Sequence, residues 1–122
     1  MENIKENEKT ILDLSENIFE KTRSLFIIDL EKDNHLSDIK DEIICLKKLI
    51  LGIRYFLDRK KLSKERDYLN YIKITKDLNI IEKYLEYYFL GKENRLLSKK
   101  DGEVLDKMFL TSTLLVLHVM GD

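Results

Sequence analysis

Ile39, Ile43, Leu46, Ile50, Ile53 and Leu57 follow one another at alternating steps of four and three residues. Only a helix returns such positions to one face, whereas a strand needs alternation. Leu49 and Phe56 widen the stripe. A helix over 38–61 is therefore expected, with Ser37 as its N-cap and Asp38 and Asp41 in its first turn.

The same period recurs on both sides. Ile11, Leu14, Ile18, Leu25 and Ile28 predict a helix over 9–32, with Leu12, Phe19 and Phe26 one position over. Tyr71, Ile74, Leu78, Ile81, Leu85 and Tyr88 predict another over 64–90, with a break near Thr75–Asp77 as the alternative. Gly91 ends it, since glycine takes the left-handed position at least cost. Ser98 followed by Asp101 reads as a capping box opening a last helix over 98–120. From Leu114 to Met120 that helix is apolar nearly all round, broken only by His118, as befits a helix central to a core or covered by another subunit.

Proline is absent from the 122 residues and glycine occurs four times, which argues against a turn-rich β fold. Alanine and glutamine are absent too, while lysine, isoleucine and asparagine abound, a composition that points to AT-rich coding. The expected fold is all-α: one domain over 1–122, a bundle of four to five long helices packed largely antiparallel. The apolar run of the last helix is shorter than the ~20 residues a membrane span requires. One cysteine, Cys45, on an apolar helical face, and a polar opening segment make a reducing, cytoplasmic setting the expectation.

The chemical inventory is spare. His35 and His118 are far apart in sequence and no His-x-x-x-His, Glu-x-x-His or Cys-x-x-Cys occurs, so neither metal nor cofactor is expected. His118 reads as a polar member of an apolar helix, satisfied by a neighbouring group. No glycine-rich phosphate loop and no nucleophile elbow is present, because Gly52, Gly91, Gly102 and Gly121 stand alone and no Gly-x-Ser-x-Gly occurs. A non-catalytic protein is expected.

Charge is unevenly placed. Residues 1–45 hold 6 basic and 12 acidic side chains, net −6; residues 46–76 hold 10 and 3, net +7; residues 77–122 hold 6 and 8, net −2. The basic middle contains Arg54, Arg59, Lys60, Lys61, Lys64, Arg66 and Lys73, interleaved with Tyr68 and Tyr71. Cations for phosphates and rings for bases make this a candidate nucleic-acid surface. The competing expectation, preferred because the whole chain is not basic, is that it pairs with the acidic first helix within the bundle or across a dimer. Tyr84, Tyr87, Tyr88 and Phe89 put four aromatics in six residues, more than one helical face can bury, and form a candidate partner-binding patch. The expected function is that of a helical interaction or regulatory protein, such as a small inhibitor, immunity or adaptor protein, binding a protein partner and itself as a homodimer. Nucleic-acid association through residues 54–76 is the alternative; no membrane or small-molecule partner is expected.

Overall fold

The computed structural model describes residues 4–28, 32–59 and 65–121, with side chains from residue 9 in the first stretch and residue 69 in the third. The fold is an all-α bundle of four helices: α1 (Ile4–Phe26), α2 (Leu36–Arg59), α3 (Glu65–Tyr84) and α4 (Lys99–Met120). No strand occurs among the described residues; the one β-type contact is an isolated bridge between His35 and Leu96. α3 runs through Thr75–Asp77 without a break and continues as a wider π turn over Leu85–Phe89, so these residues add no separate fifth helix.

The rows that the apolar period marks form the core. Ile39, Ile43, Leu46, Ile50, Ile53 and Leu57 of α2 are all buried, as are Ile74, Leu78, Ile81 and Leu85 on the third helix. They meet Ile11, Ile18 and Leu25 of α1 and Val104, Leu105, Met108 and Leu115 of α4. α4 packs chiefly on α1 and α3, and α1 also packs on α2.

The inward row of α1 differs from expectation in an instructive way. Its buried members are Ile11, Ser15, Ile18, Thr22 and Leu25, spaced four and three apart, with two hydroxyls among them. Leu14 is half-buried and lies against Gly52 of α2. Thr22 Oγ1 lies 2.7 Å from Ser112 Oγ of α4. Each hydroxyl also reaches the carbonyl three residues back on its own helix, Phe19 at 2.9 Å and Phe109 at 2.7 Å. Two hydroxyl protons thus serve three contacts, and none of these buried oxygens is left without a partner.

Helix ends explain where the expected boundaries move. α1 stops at Phe26 rather than 32, with the Ile27 N–H closing on the Arg23 carbonyl and the Ile28 N–H on that of Leu25. α2 begins at Leu36, so His35, not Ser37, is the capping residue: the Asp38 carboxylate accepts the His35 N–H at 2.8 Å. The Ser37 N–H instead donates to Asn94 Oδ1 in the α3–α4 connection. That connection is tied along residues 34–36, with the Leu36 N–H donating to the Arg95 carbonyl and the Leu97 N–H to that of Asn34. Gly91 takes φ +69° one residue beyond the break at Leu90, and the Ser98–Asp101 capping box opens α4.

Candidate interaction surfaces

α4 places its core residues on one side: Asp101, Val104, Leu105, Met108, Thr111, Ser112 and Leu115 are buried. At 100° per residue the opposite side carries Glu103, Asp106 and Lys107 in the first half and Leu110, Leu114 and Leu117 in the second. Leu110 is 64% exposed, Leu114 42%, Leu117 41% and the neighbouring Met120 62%. Of the two expectations for this helix, central to the core or covered by another subunit, the first is not met, since this side of α4 is open within the single chain. Phe109, between core and open face, stacks on exposed Phe26 of α1 with ring centroids 4.8 Å apart, and exposed Ile27 follows.

The four aromatics after Lys83 separate. Phe89 is 3% exposed and belongs to the core, which corrects its expected place in a partner-binding patch. The wider π turn inserts an extra residue per turn and swings Phe89 inward beside Leu85. Tyr84 and Tyr88 are half-buried against the core, and Tyr87 is 70% exposed with its ring edge-on to Tyr88 at 4.9 Å. Ile80, Lys83, Tyr84, Tyr87 and Tyr88 line an open groove of about 430 Å³. A second groove, about 330 Å³, lies between the start of α2 and the α3–α4 connection, floored by Ile43, Ile44, Phe89 and Leu90.

Part of the basic middle is described, and two of its cations face the third helix. Arg54 donates to Glu82 at 3.0 Å and to Asn79 at 2.7 Å, both on α3, so it is not free for phosphate. Lys47 donates at 2.7 Å to both Glu82 and Glu86. Lys47 and Arg54 of α2 therefore pair with the third helix. Burial pushes the Glu82 carboxyl up, but the bonds and charge of Lys47 and Arg54 outweigh it, and its pKa lies below the ordinary range. The same bonds raise the Lys47 ammonium. Arg59 bonds the Tyr55 hydroxyl and lies over its ring at 5.4 Å. Lys60, Lys61, Lys64, Arg66 and Tyr68 lie outside the residues whose side chains are described. Tyr71 is half-buried, whereas Lys73 is exposed. Lys73, Lys76 and Lys83 share the outer face of α3 with Ile80 and Tyr87, and no carboxylate among the described residues shares it.

Two polar constellations remain, and the first joins residues 41 apart in sequence, so no local spacing signalled it. His118 Nδ1 of α4 sits 2.5 Å from Asp77 Oδ2 of α3. Burial raises the Asp77 carboxyl above its ordinary value, with the bond and charge of His118 opposing. The second is at the start of α4. Arg95 grips Asp101 with two nitrogens, at 2.5 and 2.9 Å, and also donates to the Tyr88 carbonyl at 2.8 Å. Burial pushes Asp101 up, but Arg95 and the N–H and hydroxyl of Ser98 outweigh it and lower its pKa. Cys45 is half-buried rather than enclosed. No group of three or more metal-ligating side chains occurs among the described residues, and no described helix is long and apolar enough to cross a membrane.

No known family model matches the chain, and no curated protein or solved structure matches it at a significant level.

Proposed function

We propose that the chain is a non-catalytic helical interaction protein that works by binding a macromolecular partner through the outward face of α4. The supporting observation is the position of Leu110, Leu114 and Leu117, opposite the buried side of their own helix and open to solvent. Leucines placed there add nothing to this core, and contiguous exposed apolar surface is a contact surface by default. The carboxylate–imidazole pair Asp77–His118 lies between two core helices and lines neither groove.

A Leu110→Gln/Leu117→Gln variant tests the reading. Its expected stability is within about 0.5 kcal/mol of the parent, as for surface substitutions away from packed features, while its binding of a hydrophobic dye falls. A loss of about 2 kcal/mol or more refutes the reading, since these leucines would then be packing residues.

The outer face of α3 favours a second reading, nucleic-acid association. Lys73, Lys76 and Lys83 with solvent-facing Tyr87 supply cations and a stacking ring on one side of a helix. Retention on single-stranded DNA that falls with salt, and is lost on converting the three lysines to glutamate, is the expected result. Salt-independent retention rejects it.

A further inference from the structure

The interaction reading leaves open what covers α4, and the inference that follows rests on it. We propose that the outward face of α4 is closed by the same face of a second copy of this chain. The two helices run in opposite directions about a two-fold axis beside Leu114.

Spacing, charge and area each favour this occupant. Leu110, Leu114 and Leu117 step by four and three, the spacing of a seam that packs against its like. The axis sets Leu110 of each copy against Leu117 of the other. Pairing in the same direction places Glu103, in line with Leu110 and Leu117 at steps of seven, against its own like charge; the opposed arrangement avoids that repulsion. Phe26, stacked on Phe109, and Ile27 extend the apolar surface toward α1. With Leu110, Leu114, Leu117 and Met120, their exposed parts come to about 600 Å² per copy, at the lower edge of the ~600–1,000 Å² per side of specific interfaces. An isologous contact of this size closes on itself and leaves no open edge for further growth.

The test is light scattering and sedimentation of the full chain from the micromolar to the sub-millimolar range, for the parent and for Leu110→Glu/Leu117→Glu. The parent is expected to dimerise, and the variant's dissociation constant to rise at least about a hundredfold, with its melting curve unchanged at dilutions where both are monomeric. Orientation is read by mixing Leu110→Cys with Leu117→Cys, each in a Cys45→Ser background. Mixed disulfides are expected to outnumber those within either variant. A parent monomeric throughout the range overturns the inference, as does a variant that stays dimeric or a predominance of like-with-like disulfides. A monomeric parent whose variant melts normally leaves α4 as a contact surface for a different protein. A variant that unfolds removes the interaction reading as well.

Discussion

Asp101→Ala removes a side chain that accepts four hydrogen bonds while 3% exposed: two from Arg95 and two from Ser98. The substitution also deletes the acidic half of the capping box. A lost cap costs about 1 kcal/mol. The doubly bonded Arg95 contact contributes about 1 kcal/mol more, below the 1.5–3 of charged hydrogen bonds because the Arg95 side chain is 38% exposed and solvent screens it. The expected loss is therefore about 2 kcal/mol, which lowers Tm by roughly 6–10 °C for a chain of this length. Urea unfolding at neutral pH, followed by circular dichroism, measures it. Arg95→Ala is expected to cost about 1 kcal/mol, because Asp101 keeps Ser98. The double variant should cost little more than Asp101→Ala alone, a coupling of about 1 kcal/mol. Strict additivity, or an Asp101→Ala loss under about 0.5 kcal/mol, refutes the reasoning, since the junction would then not hold the α3–α4 connection to the start of α4.

Acid unfolding has a sign set by three carboxylates. Asp101 and Glu82 have pKa values lowered by folding, so their contribution is present above their unfolded values and is lost as pH falls below about 4 toward their folded ones. Asp77, raised by burial, acts in the opposite sense, so Asp77→Asn should steepen the acid loss and Asp101→Asn should flatten it; a titration of urea midpoints against pH checks both. Two glycines should respond with opposite sign in thermal melts. Gly52→Ala places a Cβ 3.5 Å from Leu14, ordinary contact within a helix, and should stabilise by about 0.5–1 kcal/mol. Gly91→Ala has free space but must hold φ +69°, and should destabilise by about 1 kcal/mol.

Much of this fold is legible from periodicity alone. The apolar row of α2 reads directly as a buried face, and the Ser98–Asp101 box marks the start of α4, because both depend on neighbours within a few residues. What depends on contacts between distant segments does not read. Ser37 looks like a cap, yet Asn94, 57 residues away, takes its N–H while Asp38 serves His35. Ser15 and Thr22 stand in register with the inward row of α1 but look polar, although each hydroxyl donates to a carbonyl three residues back and Thr22 also meets Ser112 of α4. Phe89 follows buried Leu85 by four, a step the helical period allows inward, and the wider turn settles it there in place of Tyr88. The surfaces were only half visible: sequence marks α4 as apolar all round but cannot tell which leucines the core leaves over.

The hydroxyl contact between Thr22 and Ser112 has a consequence for uniqueness. Leucine and isoleucine seams are nearly interchangeable, so two helices lined with them can settle one turn out of alignment at small cost. A slip of α4 along α1 by one turn would break the contact the two hydroxyls share, a loss of about 0.5–1.5 kcal/mol, while each hydroxyl keeps the carbonyl of its own helix. The pair therefore acts as a vernier mark, made in one alignment of the two helices and missing from its neighbours.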